Sequence, residues 1–263
     1  MSTRSYAAAD SATMLRRNLR HALRYPSMTV SVVMMPIIML LLFVDVFGGA
    51  ISSSLAGASK SGATYIDYLV PGILVMTVGS GSMPTAVAVC TDMTEGIVAR
   101  FRTMAISRAS ILTGHVVGSM IQTMLSAGLV IGVSLLLGFR PTADLVGWIA
   151  AIAVLALLTL ALTWLAVALG LVTKTAEAAS NVVMPLFLLP FISSAFVPLA
   201  TMPTGVRWFA QYQPFTSIID TLRGLLMGAP IGNSAVIAIA WCVAIALAGY
   251  LWARTVFNRG PAR

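Results

Sequence analysis

Six long stretches without a charged side chain set the limits on what this chain can fold into. Their flanking charges are Arg24 and Asp45, Asp67 and Asp92, Arg108 and Arg140, Asp144 and Lys174, Glu177 and Arg207, and Arg223 and Arg254. Each stretch holds 20 to 31 residues. A helix of about 20 residues crosses the roughly 30 Å hydrocarbon core of a bilayer. No segment alternates with a period of two, and lipid offers no partner to an open strand edge, so the spans are predicted to be helices.

The composition agrees with a membrane-embedded fold. Of the 263 residues, 59% are hydrophobic and 9% are charged. A soluble globular protein carries about a quarter charged residues, because its surface has to be solvated. A soluble protein is therefore excluded, and we predict an all-α membrane protein with six transmembrane helices. The predicted spans lie near residues 26–47, 66–89, 111–138, 145–172, 178–199 and 232–254.

The basic residues indicate how the spans are oriented. Twelve of the 16 fall on one side of the six-span arrangement, and the four on the other side are Lys60, Arg140, Arg207 and Arg223. Because cytoplasmic loops are enriched in Lys and Arg, both termini are predicted to lie in the cytoplasm. The net charge of +8 does not indicate a nucleic-acid partner, because the basic residues form no contiguous patch. The first 27 residues do not have the pattern of a cleavable signal.

Residues 1–25 form a basic arm before the first span. Apolar side chains recur there at helical spacing, and arginines occupy the remaining arc. The apolar positions are Leu15, Leu19, Ala22 and Leu23, and the basic positions are Arg16, Arg17, Arg20 and Arg24. This pattern favours an amphipathic interfacial helix in the inner headgroup layer, with the lipid bilayer as its partner. The alternative is a charge cluster that only sets the topology.

The predicted cytoplasmic loop between spans two and three runs over residues 91–109. Asp92 followed by Glu95 resembles a helix N-cap with its return partner. Ile97, Phe101 and Met104 then share one helical face. A short helix with such an apolar stripe has nothing of its own chain to pack on, so it should dock on a partner or on the bilayer. The alternative is a solvated loop that holds positive-inside arginines.

The stretch after span five, residues 196–232, carries four prolines, too many for one continuous helix. It also carries aromatic residues suited to the outer interface. Asp220 and Arg223 stand at i and i+3, close enough to pair on a short helix. We predict short re-entrant outer helices between spans five and six, rather than an ordinary interfacial loop.

The residue pattern does not favour catalysis or metal binding. His21 and His115 have no carboxylate at the spacing of a zinc motif, and the aspartates are scattered. Lys60-Ser61 follows Ser59 rather than Gly and no strand leads into it, so it is not a phosphate loop. The chain is predicted to be neither an enzyme nor a metal protein, without a cofactor or an energy source of its own.

Two parts of the sequence resemble a known family. The first is the run Asp92 to Arg108, DMTEGIVARFRTMAISR. The second comprises Phe196-Val-Pro198, Met202-Pro203, Gln213-Pro214-Phe215-Thr216 and Asp220-Thr-Leu-Arg223-Gly224. Both are similar to ABC-2 type transporter permeases, especially the daunorubicin-resistance type, and the likeness covers almost the whole chain. Two positions depart from the family pattern, because Ala105 stands where Pro is common and Gln213 where Asn is common.

The resemblance implies a permease in the bacterial cell membrane that exports a hydrophobic drug-like or lipid-like compound. It implies two copies of a separate ATPase subunit, which carry ATP and Mg, and a second permease chain in a homodimer or heterodimer. The alternatives are an exporter of a polysaccharide or lipid-linked product, or a non-transport assembly or immunity factor. The implied domains are a connecting helix at 1–25, a transmembrane domain at 26–256 and a cytoplasmic tail at 257–263.

The resemblance also assigns roles to particular residues. Those expected to couple to the ATPase subunit are Asp92, Glu95, Gly96, Ile97, Arg100, Phe101, Arg102 and Arg108. Those of the connecting helix are Leu15, Arg16, Arg17, Leu19, Arg20 and Arg24. Those expected to shape an outer gate are Pro214, Phe215, Asp220 and Arg223.

Overall fold

The computed structural model describes residues 26–46, 65–94 and 108–258, and all regular structure within these ranges is helical. The helices are α1 (Pro26–Leu41), α2 (Tyr65–Thr94), α3 (Arg108–Leu136), α4 (Leu145–Val172), α5 (Ala176–Leu188), α6 (Thr204–Tyr212), α7 (Pro214–Met227) and α8 (Ser234–Asn258). A π-helical turn, Leu42–Val46, extends α1, and 3-10 turns occupy Leu189–Ile192 and Leu199–Thr201. The all-helical prediction is confirmed for this part of the chain.

Four helices are long and apolar enough to cross a membrane, namely α2, α3, α4 and α8. The apolar helical segments at the other two predicted spans are shorter, Val33–Val46 and Ala176–Ile192. Span five, predicted over 178–199, is not one helix, because α5 ends at Leu188 and a 3-10 turn follows. Pro190 in that turn has no N–H to continue the α-helical hydrogen-bond ladder. The count of six spans stays a prediction.

Helix α2 lies at the centre of the described bundle and packs against α1, α3, α4, α5 and α7. Two glycines allow its backbone to come close to the chain around α5. A Cβ on Gly72 would lie 2.6 Å from the Cβ of Ala195, and one on Gly79 would lie 2.7 Å from the carbonyl oxygen of Leu186. Helices embedded in lipid associate through such small residues, because tight van der Waals packing replaces the hydrophobic effect.

Helix α8 packs along α4 and against α7 and leaves a broad apolar face exposed. Gly249 brings α8 against the backbone of Trp164 and Leu165, and Trp164 meets Tyr250 edge-on with ring centroids 5.0 Å apart. Exposed side chains on the opposite face of α8 include Val236, Ile239, Val243, Leu247 and Leu251. A face of this composition is suited to contact with lipid chains.

The connection between α3 and α4 is hydrogen-bonded to the C-terminal end of α7. The backbone N–H groups of Thr142 and Ala143 both donate to the carbonyl oxygen of Leu226, at 3.0 and 3.1 Å. Helix α7 then ends at Gly228, whose φ of +68° is the left-handed conformation that glycine adopts at little cost. These contacts place the C-terminal end of α7 beside the N-terminal end of α4, at the predicted outer end of the bundle.

Candidate functional site

Arg223 of α7 is bound by groups from three separate parts of the chain. Its Nη1 donates to Oδ1 of Asp220 at 2.8 Å, which confirms the pairing predicted from their spacing. Its Nη2 donates to the carbonyl oxygens of Ser194 at 2.7 Å and of Tyr68 at 3.2 Å. The guanidinium carbon also lies 3.8 Å from the ring centroid of Tyr68. One side chain thus connects α7 to α2 and to the backbone after α5.

The second partner of Asp220 is Ser194. The hydroxyl of Ser194 donates to Oδ1 of Asp220 at 2.7 Å, so this oxygen accepts from both Ser194 and Arg223. The Ser194 residue is buried, and the side chains of Arg223 and Asp220 are 16% and 35% exposed. We call Tyr68, Ser194, Asp220 and Arg223 the Arg223 cluster.

The break after α5 explains why a cation is needed at this place. Residues 193–198 leave the helix, so their backbone carbonyls lack the usual helical partners. Backbone of this kind within a membrane bundle is stable only where other groups satisfy it. Arg223 donates to Ser194, and the hydroxyl of Tyr65 donates to the carbonyl oxygen of Phe196 at 3.4 Å. The charged cluster therefore compensates for a helix that ends early.

The start of α7 is anchored separately. Gln213 is buried, and its side-chain amide donates to the carbonyl oxygen of Ile192. Pro214 occupies the first turn of α7, where its missing N–H costs no hydrogen bond. Phe215 is 2% exposed and belongs to the core. Of the four residues expected at an outer gate, Asp220 and Arg223 form one ionic cluster, Pro214 begins the helix and Phe215 is a packing residue.

A second polar contact joins α2 and α3 at the opposite end of the bundle. Oδ2 of Asp92 lies 2.9 Å from Nε2 of His115, and the two side chains are 15% and 10% exposed. Asp92 lies in the last turn of α2, which continues to Thr94. The expectation that Asp92 begins a new helix as its N-cap is therefore wrong. The apolar α2 helix extends past the predicted end of span two and carries Asp92 with it.

Residues 11–227 match the family model described as ABC-2 type transporter. The chain belongs to the ABC-2 type transporter family. The resemblance seen in the sequence motifs is thereby confirmed.

Two relatives of this ABC-2 permease carry names that refer to drug resistance. It is 29% identical over 226 residues to the daunorubicin resistance ABC transporter permease protein DrrB1 of Streptomyces coeruleorubidus, covering 86% of this chain and 77% of that protein. It is 25% identical over 177 residues to the probable doxorubicin resistance ABC transporter permease protein DrrC of Mycobacterium tuberculosis, covering 67% of this chain and 64% of that protein. The relatives in this family are transport subunits and not ATPases, and the family together with the apolar helices indicates a membrane location for this chain.

Most of the residues predicted to form the coupling segment and the connecting helix lie outside the described residues. From the coupling segment these are Glu95, Gly96, Ile97, Arg100, Phe101 and Arg102. From the connecting helix they are Leu15, Arg16, Arg17, Leu19, Arg20 and Arg24. Arg108, the last residue of the coupling set, is the first residue of α3. The two ends of the coupling segment are thus the C-terminal end of α2 and the N-terminal end of α3.

The permease also has an apolar cleft between α6, the start of α7 and α8. Its volume is about 230 Å³ and aromatic rings dominate its walls. The lining residues are Leu189, Trp208, Phe209, Tyr212, Gln213, Pro214 and Trp241. The aromatic residues of α6 were predicted to lie at the outer interface, but the contribution of Trp241 from α8 depends on how α6 folds back and was not foreseen.

The remaining reactive side chains of the described residues do not assemble a metal site. Within the described ranges, no three His, Cys, Asp or Glu residues come close enough to hold an ion. Cys90 and Cys242 are both buried free thiols, which behave as small apolar packing residues. The thiol of Cys90 lies 3.5 Å from the carbonyl oxygen of Thr173 and so caps the end of α4.

Proposed function

We propose that this chain is the permease subunit of an ABC exporter that moves a hydrophobic drug-like or lipid-like compound out of a bacterial cell. ATP hydrolysis on a separate ATPase subunit supplies the energy. The family match and the two drug-resistance relatives support the exporter class. The structural observation that carries the mechanism is the course of α2, because this one helix contacts both polar sites.

Helix α2 is a mechanical connection between the two ends of the permease. It is one helix of 30 residues, about 45 Å long at the helical rise per residue, and it continues through two interior prolines, Pro71 and Pro84. Tyr68 near its start contacts Arg223, and Asp92 near its end contacts His115. The helix ends at Thr94, and residues 95–107 follow it in the sequence. A displacement of that segment is therefore transmitted along α2 to the Arg223 cluster.

In this mechanism, ATP binding brings two ATPase subunits together and moves the coupling segments. A ligand shifts a conformational equilibrium only by its differential affinity for the two states. The ATP-bound ATPase dimer binds the outward-open permease more tightly and so increases its population. At the other end, α7 changes its position relative to α2 and α5, with Asp220 and Arg223 holding the closed arrangement.

The topology of this proposal is the six-span arrangement with both termini in the cytoplasm. The 12-to-4 division of basic residues supports the orientation. Helices α6 and α7 form the short outer re-entrant elements, and the basic arm lies on the inner leaflet. The functional unit pairs this chain with a second permease and two ATPase copies that hold ATP and Mg.

The substrate class rests on the apolar side chains that the bundle exposes. Met34, Met35 and Met184 are 40% to 47% exposed on α1 and α5. Flexible thioethers adapt to varied apolar compounds. The aromatic cleft adds flat surfaces for the same kind of molecule. Because the relatives are named for resistance to daunorubicin and doxorubicin, these two drugs are the first substrates to test.

Co-purification tests the partnership. The permease is expressed with a candidate ABC ATPase subunit and is isolated in mild detergent through a tag on the permease. The expected result is an ATPase that stays bound and whose ATP hydrolysis requires the permease. An unrelated six-span protein with the same tag is the control. A stable permease that retains no ATPase at any detergent concentration would contradict the proposal and favour a non-transport role.

A further inference from the structure

The contact between Asp92 and His115 lies where the coupling segment leaves and re-enters the bundle. Asp92 is two residues before the end of α2, and His115 is in the second turn of α3. The residues between these helices, 95–107, form the connection expected to meet the ATPase. The hydrogen bond between the two side chains therefore joins the two helix ends between which this connection lies.

We propose that the Asp92–His115 pair is a positioning contact that makes α2 and α3 move together when the coupling segment is displaced. This inference rests on the proposed function. It also changes the role of Asp92, because its carboxylate acts on its own chain instead of contacting the ATPase. Without the pair, part of the displacement separates the two helices and does not reach the Arg223 cluster.

Further contacts along the α2–α3 interface support concerted movement. The hydroxyl of Thr85 donates to the hydroxyl of Ser119 at 2.7 Å. Closer to the middle of the bundle, a Cβ on Gly81 would overlap Oγ1 of Thr123, so the helices are in direct contact there. Around the pair, the apolar side chains Val89, Leu112 and Val116 pack in one cluster. The Asp92–His115 pair thus extends the close packing of α2 against α3 into the last turn of α2.

Burial strengthens the hydrogen bond between Asp92 and His115. Both side chains are at least 85% buried, so water competes poorly for their hydrogen bond. Hydrogen bonds to an ionised carboxylate are about twice as strong as neutral ones. A surface pair in the same place would be screened and would contribute little.

The test measures transport per ATP hydrolysed in the complete complex of permease and ATPase. In His115→Ala, ATP hydrolysis should continue while substrate transported per ATP falls about fivefold or more, the lower range of typical coupling between two sites. Leu125→Ala, an exposed position on α3, is the matched control and should leave the ratio unchanged. The exchange variant Asp92→His with His115→Asp should restore most of the ratio, because it rebuilds the contact in reverse.

A cross-linking experiment examines the movement itself. Cysteines at positions 92 and 115, in a background without Cys90 and Cys242, are joined by a short bifunctional thiol reagent. The unjoined double-cysteine complex lacks the pair, so it should transport less substrate per ATP than the unaltered complex, and joining α2 to α3 should raise that ratio again. A ratio that stays the same or falls on joining would overturn the proposal.

The outcomes separate this inference from the function on which it rests. If the unaltered complex shows no ATP-dependent transport, the proposed function fails. If the unaltered complex transports and His115→Ala keeps its transport per ATP, only the positioning role fails. A variant that loses hydrolysis and transport in equal proportion, with a lower melting temperature, also overturns it, because that is the result of a merely structural contact. Failure of the exchange variant to recover the ratio counts against it as well.

Discussion

Arg223 lies with its guanidinium carbon 3.8 Å from the ring centroid of Tyr68, although 155 residues separate the two in sequence. A cation over an aromatic face is stabilised by the ring quadrupole, and more strongly where water is excluded. The same guanidinium holds Asp220 and the carbonyl oxygen of Ser194. The Arg223 side chain therefore joins three parts of the bundle, namely α7, α2 and the backbone after α5.

Replacement of Arg223 by alanine should destabilise the permease and impair export. The variant loses a charged hydrogen bond to Asp220 and leaves the carbonyl oxygen of Ser194 unsatisfied, a cost of roughly 1.5–3 kcal/mol. Thermal unfolding in detergent measures the effect. Arg207→Ala removes the same residue type from an exposed position on α6 and should leave the melting temperature unchanged. Equal melting temperatures for the two variants would contradict the structural role of Arg223.

Ser194→Ala should cost less, about 1 kcal/mol, because it removes one hydrogen bond to Asp220 and keeps the backbone acceptor. Its effect should depend on Arg223, since both side chains bind the same carboxylate oxygen. A double-mutant cycle of Ser194→Ala and Arg223→Ala measures this coupling through the melting temperatures. Strictly additive shifts would show that the cluster does not act as a unit.

Gly79→Ala should weaken the packing of α2 against α5. The added Cβ would lie 2.7 Å from the carbonyl oxygen of Leu186, and backbone atoms cannot move aside as a side chain can. The expected result is a lower melting temperature and reduced export.

Gly128→Ala provides the control for this substitution. No heavy atom lies within 4 Å of a Cβ at Gly128 on α3, so alanine should be tolerated there. Alanine can even stabilise the helix, since glycine costs up to about 1 kcal/mol in a helix interior. If Gly79→Ala behaved like Gly128→Ala, close approach of α2 and α5 would not be required.

Much of the fold follows from the sequence, because lipid imposes strict conditions on the backbone. Charge-free length alone locates α2, α3, α4 and α8, and the spacing of Asp220 and Arg223 predicts their pairing on α7. The end of α5 was missed, since hydropathy does not register how Pro190 interrupts an apolar stretch. Once that helix ends, the exposed carbonyl oxygen of Ser194 becomes a ligand for Arg223.

Contacts between helices could not be predicted from the sequence, for a different reason. The pairing of Asp92 with His115 and of Arg223 with Tyr68 depends on the register and rotation of neighbouring helices. No spacing rule within one helix encodes these. The position of Asp92 within α2 could not be read from the sequence either, because the helix continues through Pro71 and Pro84 to Thr94.

Charge reversal in the coupling segment should separate ATP hydrolysis from export. Glu95 and Arg100 belong to the run that resembles the ATPase-coupling segment of the family. We expect Glu95→Lys or Arg100→Glu to lower ATP-linked export while the permease remains folded, because like charges then oppose the ATPase surface. Export assays on variants with normal membrane levels measure this. Full export by a well-expressed reversal variant would refute the assignment.

Transport in inside-out vesicles tests the central claim most directly. Vesicles that contain the permease and its ATPase are supplied with ATP, Mg and daunorubicin, and accumulation of the drug is followed over time. We predict accumulation that requires ATP, the permease and the ATPase together, and that stops in an ATPase variant unable to hydrolyse ATP. Equal accumulation with and without the permease, for this drug and for other apolar compounds and lipids, would contradict the account.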